Sequence, residues 1–144
     1  LHIMLRFELE QDMIAGKIRI QDLPEEWNDR MESWLGVRPS KDSDGVLQDI
    51  HWSLGAIGYF PTYALGNLMS TQLFNAAKKA IPDLDAKTAQ GDFSALLDWL
   101  RTNVHQHGRR KTAGQILLDA TGSELSSESW MHYAQSKFGE LYGF

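Results

Sequence analysis

The 144-residue sequence contains no cysteine. Disulfide bonds and metal sites built from thiolates are therefore excluded, and the composition fits a reducing compartment. The chain also has no apolar run near the roughly 18 residues that span a bilayer, and it does not open with the pattern of a signal peptide. We therefore expect a soluble, cytoplasmic protein without a membrane partner.

Positive charge is also scarce, because 14 Lys and Arg residues face 19 Asp and Glu residues for a net charge of -5. Proteins that bind a phosphate backbone usually carry a basic face, so nucleic acid is not expected as a partner. Hydrophobic residues make up 42% of the chain and include five Trp and six Phe, which is sufficient for a core. One compact domain over residues 1–144 is the simplest expectation.

Sustained strand-like alternation is missing and Val and Ile are sparse, which predicts an all-α protein. Capping residues, prolines and glycines indicate where an irregular array of six to seven helices would begin and end. The predicted helices cover residues 1–16, Asp22 to Gly36, Pro61 to about Ala80, 83–90, Asp92 to Gly108, Thr112 to Thr121, and Ser127 to Tyr142. Residues 36–45 are polar and turn-rich, so they are predicted to form a loop.

Apolar spacing predicts which helix faces are buried. In the first helix the predicted stripe contains Leu1, Met4, Leu5 and Leu9, widened by Ile3, Phe7 and Ile14. In the helix that begins at Pro61 the predicted buried positions are Leu65, Leu68, Met69 and Phe74. The acidic residues Glu8, Glu10 and Asp12 are expected to form a solvated face.

The stretch 45–63, GVLQDIHWSLGAIGYFPTY, concentrates polar-tipped and aromatic side chains between glycines and a proline. Glycines permit an irregular backbone, which could turn Asp49 and His51 toward one cleft. A carboxylate can fix the tautomer of an imidazole, and His and Tyr can both donate to an anionic transition state. Alternatively, Asp49 and His51 bond the loop backbone while the aromatic side chains belong to a core.

Residues 45–52, GVLQDIHW, resemble the G-x-x-Q-D-x-H-W motif of the carboxypeptidase Taq family of zinc metallocarboxypeptidases. The following GYFPTY, the opening LHIMLRFELE, HGRR at 107–110 and TG at 121–122 extend the resemblance along the chain. It implies a nearly all-helical fold, a protein much longer than 144 residues that is usually dimeric, and peptide substrates. The chain would then be the C-terminal quarter to third of such an enzyme and a partner of its missing N-terminal catalytic part.

The resemblance also implies a zinc ion held by an HExxH helix and a downstream Glu. The five histidines of this chain form no such motif, so zinc or another divalent metal is expected in the full-length enzyme but not on this chain, which should be inactive alone. By the same resemblance His51 and Tyr63 are the expected oxyanion donors. Gln48, Asp49 and Tyr59 would contact substrate, with Asp49 also orienting His51, and Trp52 would pack the loop.

Two alternatives stay open. Arg109, in the basic run 107–111, could bind the terminal carboxylate of a peptide, since a guanidinium binds a carboxylate bidentately. Alternatively, the basic residues interact favourably with the dipole of the preceding helix and are mostly solvated.

The whole chain could instead be a stand-alone helical binding or interaction module that keeps the motif only as structure. An in-frame HExxH upstream of Leu1 would support the enzyme.

Overall fold

The computed structural model describes the whole chain, Leu1–Phe144. It contains only helices, which confirms the all-α prediction. The seven α-helices are α1 (His2–Ile14), α2 (Leu23–Leu35), α3 (Pro61–Ala80), α4 (Leu84–Ala89), α5 (Ser94–Asn103), α6 (Ala113–Thr121) and α7 (Glu128–Tyr142). Short 3₁₀ helices cover Ile20–Asp22, Asp42–Asp44 and His105–Arg110. None of the helices is both long enough and apolar enough to cross a membrane.

The chain divides into two compact units, Leu1–Leu65 (unit 1) and Gly66–Phe144 (unit 2), and the boundary falls within α3. Nothing in the composition indicated this boundary, because residues 61–80 form one uninterrupted helical pattern. The units are described separately below.

Several predicted helix ends are confirmed. Gly36 adopts the left-handed conformation with φ 70° at the end of α2, where a residue with a Cβ would be strained. Thr112 and Gln115 form a complete capping box at the start of α6. The predicted cap by Asp22 is not formed, because its carboxylate accepts two hydrogen bonds from Arg19 instead.

The helix predicted from Asp92 to Gly108 is shorter than expected. The Asp92 carboxylate does accept a hydrogen bond from the backbone N–H of Ser94, at 3.0 Å. However, α5 ends at Asn103 and a 3₁₀ helix follows, within which Gly108 has the non-helical angles φ 50° and ψ -132°.

Unit 1 has a continuous hydrophobic core between α1 and α2. Its buried members are Leu5, Leu9, Ile18, Leu23, Trp27, Met31 and Val46. Met13, Trp34, Leu35 and Trp52 pack against them. Trp52 therefore packs the loop against the core, as the sequence predicted.

The buried face of α1 differs from the predicted stripe. Leu5 and Leu9 are fully buried, but Met4 and Phe7 are exposed. The other buried residues of α1 are charged, Arg6 and Glu10. The expectation of a solvated Glu10 is thus wrong, because its carboxylate is bonded to the segment before α3, as described below.

Unit 2 buries few large side chains, among them Leu84 and Leu117. The predicted buried face of α3 is wrong at Leu65 and Phe74, which are 43% and 40% exposed, while the fully covered positions are Gln72 and Ala77. Gln72 is buried because its amide bonds the segment 123–126 that leads into α7.

Candidate functional site

The candidate site lies in unit 1, where residues 46–60, the last part of the connection between α2 and α3, form neither a helix nor a strand. Gly55 and Gly58 have φ angles of 71° and 76°, so the irregular backbone expected from the glycines is present. The connection carries His51, and Pro61 then starts α3, whose first turn carries Tyr63. Side chains twelve residues apart in the sequence are thereby brought together.

His51 and Tyr63 form a hydrogen-bonded pair. His51 Nε2 lies 3.0 Å from Tyr63 Oη, and the rings meet edge to face with centroids 5.9 Å apart. The second ring nitrogen, Nδ1, is buried and has no hydrogen-bond partner. The two residues predicted as oxyanion donors therefore present their polar tips at one place.

Two further aromatic rings fix the His51 ring. The Phe60 ring centroid lies 4.7 Å from that of His51, and Tyr59 stacks on His51 at 5.6 Å. Phe60 is almost fully buried, whereas Tyr59 is 47% exposed and makes an edge contact with Tyr63 at 5.4 Å. Tyr59 thus stands beside the pair with a free face toward solvent.

An open cavity of about 220 Å³ adjoins this pair. Its walls come from the first turns of α1, from the connection and from the start of α3. The lining residues are His2, Ile3, Arg6, Asp49, His51, Phe60 and Tyr63. The cavity therefore gives a small ligand group access to the polar tips of His51 and Tyr63.

Asp49 does not orient His51. Its carboxylate instead accepts a hydrogen bond from Arg6 Nε at 2.5 Å, while Arg6 Nη1 donates to the backbone oxygen of His2 at 2.7 Å. The Arg6 guanidinium also lies 4.6 Å from the Trp27 ring centroid, within the range of a cation-π contact. The buried cation thus compensates the carboxylate and ties the start of the connection to α1.

Glu10 ties the end of the connection to the same helix. Its Oε2 accepts a hydrogen bond from Trp52 Nε1 at 2.9 Å, and its Oε1 accepts one from the backbone N–H of Gly58 at 2.6 Å. Glu10 is 3% exposed and forms no ion pair within 4.0 Å. Two neutral donors therefore satisfy a buried carboxylate.

Sequence reasoning missed Arg6 and Glu10. The run LRFELE does contain a usable signal, because Arg6 and Glu10 are four residues apart and adjacent to the buried Leu5 and Leu9. A cation and an anion at that helical spacing share one face with the core. Charge at those positions indicates buried partners elsewhere in the chain.

The remaining predicted residues lie outside this cluster. The Gln48 side chain is exposed and does not line the cavity. Arg109 belongs to unit 2, where it contributes to an exposed basic pocket formed by residues 108–116. The structure contains no group of three or more His, Asp or Glu side chains placed so that they could hold a metal ion.

Comparisons with known proteins identify the family to which the chain is similar. The family model for the carboxypeptidase Taq (M32) metallopeptidases matches residues 1–138. Thermostable carboxypeptidase 1 of Pyrococcus furiosus is 45% identical over 137 residues, and carboxypeptidase 1 of Bacillus subtilis is 39% identical over 142 residues; these matches cover 95% and 99% of this chain. The crystal structure of an M32 carboxypeptidase from Deinococcus radiodurans is 46% identical and superposes with a TM-score of 0.91 over 99% of this chain.

The chain spans only 28% of the length of the two sequence relatives and 29% of that solved structure. The predicted resemblance is nevertheless confirmed, because the match runs along nearly the whole of the present sequence. This chain belongs to the carboxypeptidase Taq (M32) family of metallopeptidases.

Proposed function

We propose that this chain is the C-terminal helical part of a metallocarboxypeptidase that removes single residues from the C-termini of peptides. Within that enzyme, it supplies the side chains that stabilise the oxyanion. The observation that carries the proposal is the 3.0 Å contact of His51 Nε2 with Tyr63 Oη beside an open cavity. Membership of a metallopeptidase family supports the reaction class.

Peptide hydrolysis passes through a tetrahedral species in which the former carbonyl oxygen is negatively charged. Hydrogen-bond donors held in advance at the position of that oxygen lower the barrier, because they need no reorganisation during the reaction. The Tyr63 hydroxyl and the His51 imidazole are both capable donors. Ring contacts with Tyr59 and Phe60 hold the His51 imidazole in place.

The surroundings of His51 favour one tautomer. A proton on Nδ1 would leave a buried N–H without an acceptor, which folded proteins rarely contain. With the proton on Nε2, His51 donates to Tyr63 Oη, and the tyrosine hydroxyl hydrogen remains available to a substrate oxygen. Tyr63 is then the direct donor, and His51 strengthens it, since hydrogen bonds in a chain polarise one another.

The metal belongs to another part of the enzyme in this proposal. We expect it to be zinc, and we assign its ligands to residues outside this chain, whose own side chains form no suitable group. The roles of His51 and Tyr63 do not require this chain to bind a metal.

The other predicted site residues become subsidiary proposals. Tyr59 has a free ring face beside the pair and can pack against a substrate side chain. Asp49 lines the cavity with 30% of its side chain exposed, so it can also accept from a peptide N–H. Gln48 and Arg109 keep their proposed roles, the former with peptide backbone and the latter with a terminal carboxylate.

Exposed apolar side chains support further contacts with the remainder of the enzyme. In unit 1 they include Met4, Phe7 and Ile14 of α1 and Leu47, Ile50, Leu54 and Ile57 of the connection. These side chains would be removed from water if the remainder of the enzyme packs against them. A homodimer of the complete enzyme remains part of the proposal.

The test is Tyr63→Phe in the full-length protein, with a short peptide that has a free C-terminus as substrate. We expect kcat to fall by about 10²-fold with little change in KM, the usual scale for one oxyanion donor. Tyr133→Phe, which removes an exposed tyrosine hydroxyl in unit 2, is the matched control and should leave kcat unchanged. An unchanged kcat in Tyr63→Phe would contradict the proposed role.

A second measurement concerns the chain by itself. We expect the 144-residue chain with added zinc to show no more peptidase activity than a chelator-treated sample. Activity above that control would contradict the proposal that the metal ligands lie outside this chain. A full-length protein without an HExxH motif would contradict the enzyme proposal and favour a helical binding module.

A further inference from the structure

Residues 46–60 have no helix or strand of their own to fix the position of His51. An irregular connection keeps one conformation only if its polar groups find fixed partners. In this chain α1 supplies such partners through Arg6 before His51 and through Glu10 after it.

The two bonds of Glu10 hold opposite ends of the turn that follows His51. Trp52 is the next residue after His51, and Gly58 comes directly before Tyr59, which stacks on the His51 ring. Gly58 also has φ 76°, a conformation that favours glycine. One carboxylate therefore closes the turn on which the His51 ring stack depends.

The chemistry of the contact requires a carboxylate. Trp52 Nε1 and the Gly58 N–H are both donors, so each oxygen of Glu10 must accept. A glutamine of the same shape would place an amide N–H against one of these donors. Burial of a charge without a cation is unfavourable, which makes a purely space-filling role a poor explanation for Glu10.

We propose that Glu10 is a positioning residue for the His51 and Tyr63 pair. Its carboxylate fixes the turn at residues 52–58 and so keeps His51 Nε2 at hydrogen-bond distance from Tyr63 Oη. This inference rests on the proposed function of that pair. Catalytic groups must be held within a fraction of an ångström, so a small shift of the turn lowers the rate without changing which residues are present.

The experiment is a double-mutant cycle in the full-length protein with Glu10→Gln, Tyr63→Phe and their combination. We expect Glu10→Gln to lower kcat about tenfold with KM changed by less than about twofold, because ground-state binding is retained. The combined variant should be no slower than Tyr63→Phe by more than about twofold, because residues that act through one another are not additive. Glu8→Gln, on the same helix but half exposed, is the matched control and should leave kcat unchanged.

The outcomes separate the two proposals. If Tyr63→Phe lowers kcat and Glu10→Gln does not, the positioning role is wrong and the oxyanion role stands. If the two losses multiply in the combined variant, Glu10 acts independently of the pair and the positioning role is also wrong. If Tyr63→Phe has no effect, the oxyanion role fails and the positioning role fails with it.

A second variant covers the case in which Glu10→Gln does not fold. Trp52→Phe removes one of the two donors to Glu10 while keeping an aromatic ring against the core. It should also lower kcat in the parent protein and have little further effect when combined with Tyr63→Phe. Additive losses there would overturn the inference in the same way.

Discussion

Units 1 and 2 both bury polar side chains that hold an irregular segment in place, but those of unit 1, Arg6 and Glu10, are charged, whereas that of unit 2, Gln72, is neutral. In unit 2, the neutral amide of Gln72 donates to the backbone oxygen of Glu124 at 2.9 Å and accepts from the N–H of Ser126 at 3.0 Å. In unit 1, the groups that hold the segment are the Glu10 carboxylate, which accepts from Trp52 and Gly58, and the Arg6 guanidinium, which donates to Asp49.

An amide loses less hydration free energy on burial than a charged group, and it can satisfy a donor and an acceptor at once. A neutral side chain such as Gln72 can therefore hold an irregular segment in place without burial of a charge. Buried charged side chains occur only in unit 1, where the segment that they hold carries His51. The hydrophobic cores also differ in the size of their buried side chains. The core of unit 1 contains Trp27, whereas the largest fully buried side chains of unit 2 are Leu84 and Leu117.

The largest expected effect tests whether the two cores are independent. Trp27→Ala removes a side chain that is 99% buried and should destabilise unit 1 by about 3–5 kcal/mol, the usual range for such a cavity. Leu117→Ala should destabilise unit 2 by about 2–5 kcal/mol. Amide hydrogen exchange should rise within the altered unit only. Equal acceleration in both units after either change would show that the two cores open together.

A smaller loss of stability is expected when the buried Gln72 amide of unit 2 is removed. Gln72→Leu removes the acceptor of the half-buried Ser126 N–H, at a cost of about 1 kcal/mol, near the lower end of the range for a group left unpaired. Exchange at Ser126 should therefore accelerate severalfold. Asn67→Leu, at an exposed position of the same helix, is the control and should leave Ser126 protected. Unchanged exchange in Gln72→Leu would show that the segment is held by other contacts.

The smallest effect concerns surface ion pairs and acid. Hydrogen bonds from Arg30 and then Lys17 hold the pKa of Asp12 below its ordinary value of 3.8, and Lys111 lowers the pKa of Asp119 in the same way. A lowered folded pKa stabilises the protein above the ordinary value, and the contribution is lost as pH falls through the folded value. Asp12→Asn and Asp119→Asn should each lower the urea midpoint slightly at about pH 6, and the gap to the parent should narrow as the pH falls below the ordinary pKa of 3.8.

The two variants also test whether ion pairs in both units contribute to acid sensitivity. A gap that persisted unchanged at low pH would mean that the ionisation of the carboxylate is not its source. A gap for Asp12→Asn and none for Asp119→Asn would place the acid-sensitive pairing in unit 1 alone.

Much of the fold follows from local rules in the sequence. Gly36, Pro61 and Thr112 bound their helices where predicted, because caps and breakers act on neighbouring residues. The motif predicted that His51 and Tyr63 would act together, and the structure places them in hydrogen-bond contact. Their catalytic role stays a prediction until the kinetics above are measured.

The errors share a physical cause, which is that long-range partners override local patterns. Asp22 was predicted to cap a helix, but its carboxylate accepts hydrogen bonds from Arg19. Asp49 was predicted to orient His51, but it accepts from Arg6. Glu10 was predicted to face solvent, but it accepts from Trp52. The contacts of Arg6 and Glu10 with the connection cross more than forty residues. Periodicity within a short window carries no information about such pairs.

The separation between the motif and its supports has a consequence for protein engineering. The residues that hold the connection lie 42 to 48 positions upstream of their partners in it. Grafting residues 45–63 onto another helical scaffold would transfer the donors without the groups that fix them. A graft would have to keep residues 6–63 together, because that range contains both the donors and the groups that hold them. Recombination between related proteins should preserve this geometry when its crossover points fall outside unit 1.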